Sequence, residues 1–269
     1  MTPALCRVAD FISKNPIDAS FLTLDQLSVR VGTSTATVMR LALTLGYSGY
    51  TEFQKDLQEL LRDRVAPTTR LEFNKKSVES NSLLTDCAET QISNLKTMVD
   101  YLSEETVSHC LELIENATNI FIVSARSSFA VAHCLHYGLN QILGNCKLMK
   151  ADSGDNVDTI LNITSSDLVI AISLPRYSRA TVDVLKTIKE FNPKIIAITD
   201  GYTSPLSPLA DVILPCSFHS LAFHNSIVGS IFLADFLITA IALKDPLKTK
   251  TRLDSAESLL EKLNIHIDK

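Results

Sequence analysis

Two short stretches set hydroxyls beside a positive charge immediately after runs of apolar, β-branched residues. NIFIVS (119–124) leads into Ala125, Arg126, Ser127 and Ser128; LVIAIS (168–173) leads into Leu174, Pro175, Arg176, Tyr177 and Ser178. A third run, KIIAIT, leads into Asp200, Gly201, Tyr202, Thr203 and Ser204. Serine hydroxyls next to the free backbone N–H groups of a helix N-terminus suit a phosphate, because orphan donors and helix dipole both favour negative charge. Arg126 and Arg176 would add charge-assisted hydrogen bonds. Ser128, Ser173 and Ser178 are therefore the first candidates for anion contacts, and Arg126 and Arg176 the second. Serines also begin helices everywhere as plain N-caps, and their chemistry alone leaves both readings open.

Such turns converge only if the runs before them lie side by side. The strand candidates are NIFIVS, KLMK, LVIAIS, KIIAIT and DVILP, with helical patterns between them at about 128–143, 156–163, 178–191 and 220–243. Strands that are apolar throughout, rather than alternating, are buried on both faces, which predicts a parallel sheet of about five strands covered by helices. In such a sheet ligands bind beyond the carboxyl ends of the strands, where these turns lie. Two helical segments, about 82–102 and 104–116, precede the first strand, the second behind Ser103 as its cap. The longest apolar stretch, 226–243, carries Asp235 and reads as a buried helix of a soluble domain.

The first 65 residues have a different texture. Leu5, Val8, Ala9 and Ile12 share one helix face, closed before Pro16. Thr23 with Gln26 has the form of a capping box, and Gly32 can supply the positive φ that ends the helix it opens. Ser34 then caps a second helix with Val38, Leu41, Ala42 and Leu45 inward, and a third spans about 51–64. Two short helices joined by a glycine-containing turn form a helix-turn-helix pattern. The first residues of the second helix (Ser34, Thr35, Ala36, Thr37 and Arg40) are the ones such a motif sets against base edges and phosphates in the major groove. Between the two textures, 66–80 loses periodicity and reads as a linker.

The net charge of −5 is unevenly spread: residues 1–70 hold 8 Lys/Arg and 7 Asp/Glu (+1), and the rest hold 17 and 23 (−6). A polyanion would meet the N-terminal part. Near-neutrality there predicts weak non-specific affinity, so binding would need a dimer. The six cysteines include no C-x-x-C pair, which argues for reduced thiols in a cytoplasmic protein and against a zinc site or disulfide frame. Neither an N-terminal signal nor an apolar run of about 18 residues occurs, so no membrane association is expected.

These segments resemble a known family. The turn Ser173–Ser178 is similar to the S-x-S-G-x-T phosphate loop of sugar isomerase (SIS) domains, in the "PRYS" form found among bacterial RpiR/MurR-type transcriptional regulators. IFIVSARSSFAVA resembles that domain's G-x-G-x-S loop, AITDGYTSPLSPLADVILP its later strand segment, and residues 4–65 the RpiR helix-turn-helix. The resemblance implies an all-α helix-turn-helix domain (1–65), the linker (66–80) and connecting helices (81–118). A three-layer α/β SIS domain (119–250) and a helical tail (251–269) follow. It implies a dimer or higher oligomer on a palindromic operator, tuned by a phosphorylated sugar, with no catalysis, metal or cofactor. Ser124 and Arg126 stand where the first loop's pattern has glycines, and Pro175 and Arg176 replace Ser-Gly in the second.

Two alternatives stay open at this stage. The same sheet supports aldose–ketose isomerases, whose chemistry needs a base near the sugar's C1 and C2. His219 and His224 lie where a sugar end would reach, either for that role or as contacts to sugar hydroxyls. The other alternative is a module that only oligomerises, with Arg126 filling the cradle itself.

Overall fold

The computed structural model describes residues 2–62, 66–77 and 82–265. The chain divides into two compact units, Met1–Glu79 and Ser80–Lys269.

The first unit is helical. Helices α1 (Pro3–Lys14) and α2 (Pro16–Phe21) are separated by Asn15, and each has proline in its first turn, where the missing N–H costs no hydrogen bond. Helix α3 (Leu24–Val31) opens on the full capping box of Thr23 and Gln26 and ends at Gly32 in the left-handed region, φ 66°. Helix α4 (Thr35–Thr44) starts three residues later, behind Ser34, whose hydroxyl accepts from the Thr37 N–H. Helix α5 (Tyr50–Arg62) completes a core of Leu5, Val8, Ile12, Leu27, Val38, Leu41 and Phe53. Leu45, expected inward, is the C-cap of α4 and is 56% exposed, because the helix ends before it completes the turn that would bury it. The stretch 66–80 is not a plain linker: it holds helix α6 (Pro67–Ser77). Its sequence, PTTRLEFNKKS, has no apolar stripe, so a search for helical periodicity passes over it.

The second unit begins with α7 (Leu83–Tyr101) and α8 (Glu104–Asn116), the latter capped by Ser103 as expected. Five strands follow, β1 (Ile120–Ser124), β2 (Cys146–Lys150), β3 (Leu168–Ile172), β4 (Lys194–Thr199) and β5 (Val212–Pro215). They pair in parallel in the order β2-β1-β3-β4-β5. Between them run α9 (Phe129–Ile142), α10 (Asn156–Ile160) and α11 (Arg179–Lys189), and after them α12 (Val228–Lys244) and α13 (Pro246–Lys262). Successive strand residues point to opposite faces, and both faces are dry. Ile120, Ile122, Ile170 and Ile198 pack toward α8, α9 and α12, while Phe121, Val123, Val169 and Ala197 pack toward α10 and α11. That is the three-layer arrangement expected from unbroken apolar strands. The helix expected over 220–243 starts only at Val228, because 217–227 is an irregular strap held by side-chain hydrogen bonds. No described helix is long and apolar enough to cross a membrane.

All six cysteines are free; Cys110, Cys146 and Cys216 are buried, which pushes their thiols up to about 12, 12 and 11. They are packing groups in the core, while Cys6 is exposed and Cys87 and Cys134 are half-buried.

At the amino edge of the sheet, Asp167 ties the starts of β1 and β3 together. Its carboxylate accepts from the Asn119 N–H and amide at 2.9 Å each, and from the Thr164 N–H and hydroxyl at 2.8 Å each. Burial pushes its pKa up, but these four donors outweigh burial and hold it below the usual aspartate range. A folded pKa below the unfolded one contributes stability above the unfolded value and loses it as pH falls through the folded value. Urea midpoints will therefore drop as pH falls from about 5 toward 2, and Asp167→Asn, which cannot accept at both ends, will lower the midpoint at pH 7 and flatten that drop.

Candidate anion cradle and helix-turn-helix

The strand order reverses between β1 and β3, and ligand crevices of open parallel sheets form at such a switch point. The turns carrying the predicted residues are the ones that leave these two strands. Ser124 is paired with Ile172 in the sheet register, so both turns begin at the same level. The Ser124 hydroxyl is fully buried and donates to the Ile172 carbonyl at 2.8 Å. It staples β1 to β3 and is occupied there.

After β1 the chain makes a 3₁₀ turn, Arg126–Ser128, and enters α9. Ser128 is buried at the head of α9, yet its hydroxyl does not cap the helix. After β3, Ser173 is buried and its hydroxyl accepts from the Ser178 N–H at 3.4 Å. Ser178 heads α11, and its own hydroxyl does not cap that helix either. The plain N-cap role open to Ser128 and Ser178 is thus not taken up.

Backbone geometry singles out the arginines. Among the described residues, four non-glycine residues have positive φ: Asn192 and Asn264, a residue type that enters this region readily, and Arg126 (56°) and Arg176 (62°). Both arginines are exposed, and the side chain of neither makes a hydrogen bond or ion pair among the described residues. Two exposed cations with left-handed backbone thus stand in the two turns that leave β1 and β3 at the switch point.

The turns after β4 and β5 brace the second loop. Tyr177 donates its hydroxyl to the Asp200 carboxylate (2.8 and 2.9 Å), and the Thr199 hydroxyl donates to the Ser173 carbonyl at 2.7 Å. Sequence reasoning missed Tyr177 and Asp200; the signal was an acid directly after a strand in a neighbouring turn. His224 is exposed on the strap, its Nδ1 3.1 Å from the Asn225 carbonyl and its ring edge-on to Phe223. His219, also exposed, stacks on Phe218.

In the helical unit, the five residues singled out at the head of α4 divide in two. Ser34 and Thr37 are bound to each other, hydroxyl to hydroxyl at 3.0 Å, and Ser34 also caps the helix. Ala36 and Arg40 are exposed and Thr35 is half-buried. Leu43, one turn beyond Arg40 on the same face and 53% exposed, was not singled out.

The model of the rpiR-family helix-turn-helix domain matches residues 1–63, and that of the SIS domain matches residues 113–240. The chain belongs to the RpiR-type transcriptional regulators. An uncharacterized HTH-type transcriptional regulator from Haemophilus influenzae is 24% identical over 80% of this chain and 75% of its own length. One from Caldanaerobacter subterraneus is 23% identical over 90% and 86%. Among solved structures, the sugar isomerase domain of an RpiR transcription factor from Sphaerobacter thermophilus superposes with a TM-score of 0.64. It is 26% identical and covers 66% of this chain and 99% of its own. The Vibrio vulnificus NanR protein, solved in complex with ManNAc-6P, superposes at 0.63 with 21% identity over 98% and 94%. In this RpiR-type chain the two arginines with positive φ stand where the SIS loop patterns carry glycine. Both adopt the left-handed backbone that glycine enters most readily.

Proposed function

We propose that the SIS domain binds the phosphate of a phosphorylated sugar in the cradle of Ser128, Ser173 and Ser178, with Arg126 and Arg176 supplying the charge. His224 is carried beside it on the strap and reads the sugar end. Bound sugar phosphate then tunes how the helix-turn-helix holds operator DNA, through Thr35, Ala36 and Arg40, with Ser34 and Thr37 fixing the start of the recognition helix. The genes controlled are those of carbohydrate metabolism. In this reading the protein is a cytoplasmic regulator that needs no cofactor and performs no catalysis. It acts as a homodimer or higher oligomer, whose two-fold symmetry demands a palindromic site. The pair of unpaired, left-handed arginines is the observation that carries the reading, since a sheet serving only for assembly has no need of them.

A thermal-shift screen of hexose, N-acetylhexosamine and pentose phosphates tests it. A true effector at 100 Kd adds about 2.7 kcal/mol of apparent stability. Ser178→Ala removes one hydrogen bond to a charged ligand, worth roughly 1.5 kcal/mol, and should weaken that effector about tenfold while leaving DNA affinity unchanged. An unshifted wild-type protein across the whole screen sinks the sugar-phosphate reading; turnover of any sugar phosphate would return the protein to the isomerases.

A further inference from the structure

Helix α7 is the element through which the chain enters the second unit, four residues after the boundary at Glu79. It carries two amide side chains on the face turned to the strap between β5 and α12. Asn94 is 2% exposed and uses both ends of its amide: Nδ2 donates to the His219 carbonyl at 2.7 Å, and Oδ1 accepts from the Ser217 hydroxyl at 3.0 Å. One turn earlier, Gln91 accepts the Ser226 hydroxyl at 2.5 Å and the Asn94 amide at 3.2 Å. The strap closes on itself through the Ser226 N–H and the Phe218 carbonyl at 3.0 Å. Behind it α12 leaves no slack: a Cβ on Gly229 would stand 2.9 Å from the Ser217 carbonyl, closer than real contacts allow.

The other side of the strap touches the cradle. Asn225 Nδ2 donates to the Pro175 carbonyl at 2.8 Å, and Pro175 is the residue directly before Arg176. An unbroken set of directional bonds therefore runs from the turn after β3, through Asn225 and the strap, to Gln91 and Asn94 on α7. Both N–H donors of the Asn94 amide are used and the residue is out of reach of water, so a displaced strap leaves it unsatisfied unless α7 moves as well.

We propose that Asn94 and Gln91 are positioning residues that couple occupancy of the cradle to α7, with Asn225 as their link to the phosphate turn. The inference rests on the reading of the cradle as the effector site. Closure of Arg176 on a phosphate draws on the Pro175 carbonyl; Asn225 follows, and the strap hands the displacement to α7. Coupling of this kind changes the affinity of the distant site by about 5- to 150-fold, and the effect is reciprocal.

The test uses the full chain and three readings for each of wild type, Asn94→Ala and Asn225→Ala. These are affinity for a DNA site selected by the wild-type protein from a random pool, affinity for sugar phosphate, and the change in DNA affinity when the sugar phosphate is saturating. The probes are N-acetylmannosamine 6-phosphate and the hexose and pentose phosphates of the screen. The expected result is that both variants bind DNA and sugar phosphate within about threefold of wild type, while the effector-induced change falls from the 5- to 150-fold range to less than twofold. A wild-type response in both variants overturns the proposal, and so does loss of sugar-phosphate binding itself in Asn225→Ala, which would put Asn225 in the site and not beyond it. Should Asn94→Ala fail to fold, Asn225→Ala decides alone. A wild-type protein that binds no sugar phosphate fails at the second reading, identifies the effector assignment as the error, and takes the relay with it.

Discussion

Replacing Arg126 and Arg176 together by glycine will leave the protein about as stable as the parent and cost it at least about 100-fold in affinity for its phosphorylated effector. The two halves of that result have separate causes. Both residues sit at positive φ, 56° and 62°, where a side chain is strained by roughly 1–2 kcal/mol and glycine is not. Glycine gives part of this back, about 0.5–1 kcal/mol each, through the freedom it gains in the unfolded chain. The balance is near zero or slightly stabilising. Affinity has no such offset. In the proposed site each guanidinium would contribute a hydrogen bond to a charged group, worth about 1.5–3 kcal/mol, and two of them exceed the 2.7 kcal/mol that corresponds to 100-fold. Denaturant titration and calorimetric titration of the same sample separate the two effects. Arg126→Ala with Arg176→Ala serves as control, because it removes the charge and keeps the strained backbone. Unchanged affinity in the glycine variant would mean that the arginines are solvated surface charges and that the serines hold the ligand unaided.

The same two residues show what the sequence could convey. Arginine in place of glycine reads as a departure that threatens the site, since residue type reveals nothing of φ. The structure shows both arginines in the left-handed region, at φ 56° and 62°. Ser124, the other residue that stands where the first loop's pattern has glycine, lies fully buried with its hydroxyl committed to the Ile172 carbonyl. What could be read directly were features with a local cause. The five strands announce themselves as unbroken apolar runs, and Thr23, Gln26, Gly32 and Ser34 mark the ends of α3 and α4 by chemistry confined to four residues or fewer. What could not be read depends on partners far along the chain. The strap over 217–227 continues an apolar helical pattern in sequence, yet it is held off α12 by Gln91, Asn94 and Pro175, the first two more than 120 residues away. Helix α6 escapes for the opposite reason, having no apolar face to announce it.

A second large effect is expected in the helical unit, where the reader of DNA is small. Its described core is ten buried residues, among them Leu27, which is fully buried between the helices of the motif. Leu27→Ala will cost about 2–5 kcal/mol, the loss of a buried leucine plus the cavity it leaves. A domain of this size has little to spare, because stability runs at roughly 0.05–0.15 kcal/mol per residue, or about 3–9 kcal/mol for a 60-residue unit. The variant therefore populates an unfolded helix-turn-helix at growth temperature, and apparent DNA affinity falls in proportion to the folded fraction. Sugar-phosphate affinity should stay within about twofold of wild type, because the cradle belongs to the other compact unit and shares no core residue with this one. DNA anisotropy, effector titration and the number of thermal transitions, read on one preparation, decide the matter. If effector affinity falls with DNA affinity, the two units fold as one, and coupling between them no longer requires a relay through Asn94 and the strap: loss of order in one would itself weaken the other.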